Sequence, residues 1–286
     1  MIRLWVLVAL VFAGLGSGQT TEVLFDGKDA SQWTGGVGEA FPSSAWKVED
    51  GTLHTVLGSG RNLFSRKQYT DFDLTWEWKL TEGGNSGVKY QCVEGRIDPD
   101  TDLVFQGTAI TVYFTMLLAA AAFLVLWRDP PWIAGTWARR SVMLVAAIGT
   151  VWSASVGIGL LRERSVAKRR PPGFEYQMID DRTQHGDRLH TTGSLYDLLA
   201  APLAEPRALG EWNESRVVVK GVHVEHWLNG RLVLAYDLGS PQLREAVSKS
   251  KFRKIDGFAD KTSGYLMLQH HGTPAWFRNM RIRENP

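Results

Sequence analysis

The sequence predicts an all-β sandwich of two antiparallel sheets, interrupted once by an inserted two-helix transmembrane hairpin. Three observations carry this prediction. Apolar and polar residues alternate with period two in both flanks of the chain, Gly and Asp-Gly turns separate the alternating runs, and two long charge-free runs occupy the middle. At 286 residues the size of a hydrophobic core is not limiting.

The N-terminus "MIRLWVLVALVFAGLGSGQT" has one Arg, an apolar run from Leu4 to Leu15 and then small residues, the layout of a secretory signal over residues 1–18, cleaved or kept as an anchor. Residues 22–102 form the first half of the sandwich. In "DFDLTWEWKL", Phe72, Leu74, Trp76 and Trp78 fall on one face and Asp73, Thr75, Glu77 and Lys79 on the other. Residues 103–170 form the insert. Leu103–Trp127 is 25 residues without a charge and Ser141–Leu161 is 21, each long enough to cross about 30 Å of hydrocarbon as a helix. The helices are expected at about 108–127 and 141–161, joined by "RDPPWIAGTWARR", whose prolines stop a helix and whose Trp residues suit an interface. Residues 171–286 form the second half. There Asn229-Gly230 between alternating runs signals a hairpin, and "SPQLREAVSKSKF" a helix capped by Ser240.

The net charge of +2 conceals an asymmetry. Residues 103–170 hold eight Lys or Arg against two acidic residues, which leaves −4 for the remainder. A basic segment flanking apolar runs points to a membrane and not to a nucleic-acid groove. Arg128, Arg139 and Arg140 in the connector agree with the positive-inside tendency, whereas "RERSVAKRR" after the second helix opposes it. Cys92 is the single cysteine, so an intrachain disulfide and a Cys-based zinc site are both excluded.

Eight stretches occur in an order similar to that of the 3-keto-disaccharide hydrolase family, among them "LFDGKDASQW", "GGNSGVKY", "FEYQMIDD", "GEWNESRVVVKGVHVEHWLNG" and "GYLMLQHHGTPAWFRNMRIRE". The resemblance covers about 23–93 and 171–284. It implies a concanavalin A-like jelly-roll sandwich of the lectin and glucanase kind, and cleavage of glycosides already oxidised to a ketone at sugar carbon 3. The insert then sits in a loop that is short in relatives. Two positions depart from the family pattern: Gln91 stands where Arg is common, which is expected to remove a charge partner for Glu175, and His270 stands where an acid is common.

A ketone at carbon 3 acidifies the hydrogen at carbon 2. A base removes it, the enolate expels the group on carbon 1, and water adds to the resulting enone. Such chemistry requires a base, a group to hold the enolate charge and an acid for the leaving oxygen. The expected catalytic residues are Glu175, Asp180 and His271. Alternation in "FEYQMIDD" places Glu175 with Gln177, and Asp180 follows at the strand end. Alternation in "LMLQHHG" sets Gln269 and His271 on one face, and the near-neutral titration of imidazole suits His271 as general base or proton shuttle. The expected substrate contacts are Asn85, Gln177, His226 and Gln269; for His226 the plain alternative is a satisfied core histidine. Carboxylate and imidazole also allow a divalent cation held by Glu175, Asp180 and His271.

The chain therefore reads as an enzyme that cleaves 3-keto-glycosides by elimination and hydration. It would be anchored in the cell envelope with the sandwich on the extracytoplasmic side, its partners being a carbohydrate substrate and membrane lipid. The alternative is a non-catalytic carbohydrate-binding module of the same fold.

Overall fold

The computed structural model describes residues 21–36, 38–96, 99–127, 136–168 and 171–284. The expected signal segment, residues 1–18, lies outside the described residues. The strands before the insert are β1 (Thr21–Phe25), β2 (Trp33–Thr34), β3 (Trp46–Glu49), β4 (Thr52–Thr55), β5 (Leu63–Tyr69), β6 (Phe72–Leu80) and β7 (Asn85–Cys92). The insert is α1 (Pro99–Trp127) and α2 (Thr136–Lys168). After it come β8 (Phe174–Ile179), β9 (Asn213–Lys220), β10 (His223–Leu228), β11 (Arg231–Asp237), α3 (Pro241–Lys249), β12 (Gly264–Leu268) and β13 (Ala275–Glu284).

These strands form an all-β sandwich. The larger, eight-stranded sheet runs β11-β10-β9-β6-β13-β4-β3 with β1 added on β13, and the smaller, five-stranded sheet runs β2-β5-β12-β7-β8. Every neighbouring pair of named strands is antiparallel. Alternation acts as expected in β6: Phe72, Leu74, Trp76 and Trp78 are buried between the sheets with Trp33, Trp46 and Tyr176. The Asn229-Gly230 turn joins β10 to β11 with φ of 50° and 79°, the left-handed pair a tight hairpin demands. Ser240 caps α3, its side chain accepting from the Leu243 amide at 3.2 Å, and Leu243 and Val247 anchor that helix to the core.

The insert leaves the sandwich undisturbed because of where it enters. β7 and β8 are adjacent in the smaller sheet, paired from Asn85↔Ile179 to Tyr90↔Phe174. The hairpin thus occupies the connection between two strands that would be neighbours without it. Both halves of the chain contribute to each sheet: β9 pairs with β6, and β12 lies between β5 and β7.

Both helices are longer than the charge-free runs suggest: α2 continues into the polar flanks on both sides, and α1 on its N-terminal side. They pack on each other, with Val112 and Ala146 buried in the seam. Elsewhere their apolar residues face outward: Leu117, Leu118, Leu144, Ile148 and Val151 are all exposed. Both are long and apolar enough to cross a membrane. A pair of buried core helices, the other structure such runs can form, is not what the chain makes.

Candidate functional site

The candidate site residues of β7 and β8 fall on the outward face of the smaller sheet, and their rows follow from register. Cross-strand partners share a face, so Gly87 stands opposite Gln177, and Lys89 opposite both Glu175 and Met267. The Gln269 amide donates to the Gly87 carbonyl at 2.9 Å, which continues the Gln177–Gly87 row onto the third strand. A glycine in the centre of that row is required by contact. A Cβ at Gly87 would lie 2.4 Å from Glu175 Oε1, so the carboxylate occupies the space a side chain would fill.

Glu175 is 2% exposed and Lys89 is 7% exposed, with Lys89 Nζ 2.9 Å from Glu175 Oε2. Oriented to donate, the Gln177 amide reaches Glu175 Oε1 at 3.2 Å and the Ser86 carbonyl at 3.3 Å. The carboxylate is thereby held by an ammonium on one oxygen and an amide on the other. The expectation that Gln91 deprives Glu175 of a cation is corrected here, because Lys89 supplies it from the facing strand. Lys89 is not legible as a site residue from the sequence. Alternation within "NSGVKY" places Asn85, Gly87 and Lys89 together, but only strand register shows which residue Lys89 meets.

Among the described residues, the buried Asn85 Oδ1 and Gln269 Oε1 have no hydrogen-bond partner, an arrangement that native interiors rarely leave unexplained. The turn after β12 is fastened to β7 beside them. Ser86 Oγ donates to the Gln269 carbonyl at 2.8 Å, and Thr273 Oγ1 accepts from the Asn85 amide at 2.9 Å. His271 sits exposed on that turn. The strand itself ends at Leu268, so strict alternation does not extend to His271.

His270 has become the fastener of the same turn. Its Nε2 donates to the Val56 carbonyl at 2.8 Å and lies 2.9 Å from Ser59 Oγ, while Nδ1 accepts from the Gly272 amide at 3.0 Å. Only the neutral ring makes this set, and burial lowers its pKa to match.

Three expectations are corrected by this geometry. His226 is not a sugar contact: it is 0% exposed in the core, where Nδ1 donates to the Gly193 carbonyl at 2.9 Å and Nε2 accepts from the Tyr90 hydroxyl at 2.8 Å. Asp180 is no free base. Its carboxylate accepts from Arg182 Nε and Nη2, both at 2.8 Å, and from the Gly83 amide at 3.0 Å, and these donors hold its pKa far below the usual carboxylate range. It belongs to a 190 Å³ pocket at the sheet end, lined also by Trp78, Ile179, Arg207 and Asn213. The set Glu175, Asp180 and His271 does not assemble around one cation. Asp180 lies five positions beyond Glu175, roughly 16 Å along a strand, and alternation sends the two to opposite faces. Among the described residues, no group of three or more His, Cys, Asp or Glu side chains is arranged to hold a metal.

Two tests follow directly. Gly87→Ala is expected to keep the fold yet lower turnover about 100-fold by displacing the carboxylate, read by steady-state assay beside a thermal melt. The second concerns acid stability. Burial lowers the His226 pKa to about 4, from the ordinary histidine value of 6.5. The unfolded chain therefore binds a proton at higher pH than the folded one, and stability falls as pH is lowered from about 6.5 to about 4, by about 3 kcal/mol for this group. Melting temperature against pH checks this; His226→Gln should start lower and show a flatter slope across that window.

The chain matches the family model described as a 3-keto-alpha-glucoside-1,2-lyase-like domain over residues 20–112 and 153–283. It is 24% identical to a curated 3-keto-disaccharide hydrolase of Bacteroides thetaiotaomicron, in an alignment covering 91% of this chain and 77% of that protein. Two solved structures of candidate glycosyl hydrolases from Parabacteroides distasonis share its fold. One has a TM-score of 0.60 at 23% identity, covering 93% of this chain and 94% of the other. The second has a TM-score of 0.56 at 20% identity, covering 93% and 100%.

Proposed function

This chain belongs to the 3-keto-alpha-glucoside-1,2-lyase-like family, and on that premise we propose that it cleaves 3-keto-glycosides by elimination and hydration. Membership makes it a carbohydrate-active enzyme; the substrate class, the mechanism and the residue roles are our reading. The observation that carries it is the Glu175 carboxylate lodged over Gly87, on the sheet face that also bears Asn85 and Gln269, whose side-chain oxygens have no partner among the described residues. Acceptors without donors suit the hydroxyls of a sugar, and a bound sugar would remove their desolvation cost.

In this reading Glu175 binds and polarises the sugar, and Gln177, Gln269 and Asn85 orient its hydroxyls. His271, on the exposed turn, takes the proton from carbon 2 and returns it to the leaving oxygen. Asp180 contributes by fixing the chain where it leaves β8, and His270 by fixing the turn that bears His271. The mechanism does not call for two opposed carboxylates, and the face offers one.

The hairpin is the membrane anchor. Two adjacent helices presenting exposed Leu, Ile and Val would carry a large unfavourable surface in water, and hydrocarbon removes that cost. The sandwich then stands at the lipid surface on the extracytoplasmic side.

A non-catalytic carbohydrate-binding module is the second reading, favoured by His270 in place of an acid. One assay separates the two: purified full-length protein with a 3-keto-glucoside and with its unoxidised parent, alongside calorimetric binding of each. Turnover confined to the ketone supports the enzyme, and binding without turnover supports the module. Turnover of the parent would make it an ordinary glycoside hydrolase instead.

A further inference from the structure

The elimination leaves one charge to be held, that of the enolate oxygen on carbon 3. We propose that Lys89 holds it, exchanging its Glu175 partner for the enolate as the reaction proceeds. This rests on the reading of the chain as an enzyme for 3-keto-glycosides.

A lysine inside a sheet face is costly, since an ammonium removed from water loses several kcal/mol of hydration. Lys89 projects from the central part of β7, in a row where its other cross-strand neighbour is the thioether Met267. Phe64 and Cys92, buried with Met267, continue that dry surface. The Cys92 thiol, pushed up to about 12 by burial, stays protonated and offers Lys89 no negative charge. The Glu175 carboxylate at 2.9 Å does. A flexible four-carbon stem carrying a compact charge suits a group that changes partner during turnover.

The step balances. The base takes the carbon-2 proton, and the C–H electron pair becomes the π bond between carbons 2 and 3. The carbonyl π pair moves onto the oxygen, whose new charge faces the ammonium. As the enolate collapses, the oxygen pair re-forms the carbonyl, the π pair between carbons 2 and 3 shifts to form the double bond between carbons 1 and 2, the bond from carbon 1 to the aglycone oxygen breaks, and that oxygen leaves with its electron pair and takes a proton. Lys89 returns to Glu175 with no net change. A fixed ammonium aimed at developing charge, in a site with little water, strengthens the enolate relative to the ground-state ketone.

The test uses full-length protein in detergent with a 3-keto-glucoside. Lys89→Gln keeps a donor for Glu175 and removes the charge; Lys89→Arg keeps the charge. We expect K89Q to lower kcat about 100-fold or more with KM changed less than threefold, and to slow deuterium exchange at carbon 2 in parallel. K89R should recover to within about tenfold of wild type. Equal effects of K89Q and K89R, or K89Q exchange at the wild-type rate, overturn the role of Lys89. An inert wild type overturns the parent reading along with it. Where K89Q does not fold by circular dichroism, the K89R exchange rate alone decides: a loss of 100-fold or more in a folded protein rejects the proposal.

Discussion

Glu175→Gln is expected to abolish turnover to within about 0.1% of wild type and also to destabilise the fold. The two effects have separate origins. The catalytic loss follows from removing the charge that sits over Gly87 among Asn85, Gln177 and Gln269. The structural loss follows from removing the carboxylate that faces a buried ammonium, for which breaking one side of a buried pair costs about 3–5 kcal/mol. A double-mutant cycle tells them apart. Adding Lys89→Met to Glu175→Gln should restore much of the melting temperature, because an apolar side chain in the row of Met267 and Phe64 needs no counter-charge, and should restore none of the activity. If activity returned with stability, Glu175 would be a structural partner of Lys89 and nothing more.

Replacing residues 94–170 by a short flexible linker is expected to give a soluble, folded sandwich, whereas the full chain stays with membranes and needs detergent. The ends to be joined are already close, since Tyr90 and Phe174 are cross-strand partners. A linker of a few residues closes them as an ordinary hairpin. The excision loses Arg96, which donates to the Gly257 carbonyl at 3.1 Å and lies over the Phe258 ring at 5.8 Å. Contacts of that kind at an exposed site cost about 1 kcal/mol, so the melting temperature should fall by only a few degrees. Full-length protein extracted by carbonate without detergent would contradict the anchor. An insoluble excised product would show that the hairpin supports the sandwich.

How far the sequence discloses this molecule depends on the range of the interaction. Local signals were legible. The alternation in β6, the Asn229-Gly230 turn and the Ser240 cap each depend on a few adjacent residues, and each stands where it is expected. The length and polarity of the two helical runs were legible too, although their ends extended into polar flanks where propensity, not hydropathy, sets the boundary. Long-range pairing was not legible. Lys89 and Glu175 are separated in the chain by the whole insert, and nothing local says that register places them opposite each other. Nothing local marks Gly87 as the position whose missing side chain makes space for a carboxylate. His226 and Asp180 have the chemistry of site residues, and their neighbours assign them otherwise: a tyrosine and a carbonyl in one case, an arginine fork in the other. A polar residue type announces a need for partners, and only the fold shows whether protein or ligand meets it.

The most direct test is a crystal structure of the Glu175→Gln protein, freed of its hairpin, with a 3-keto-glucoside bound. The sugar is expected over Gly87, with hydroxyls on Asn85 Oδ1 and Gln269 Oε1, its carbon-3 oxygen toward Lys89 and its carbon 2 within reach of the His271 turn. A sugar bound instead in the pocket beside Asp180, or on the outer face of the larger sheet, would contradict the site assigned to this chain.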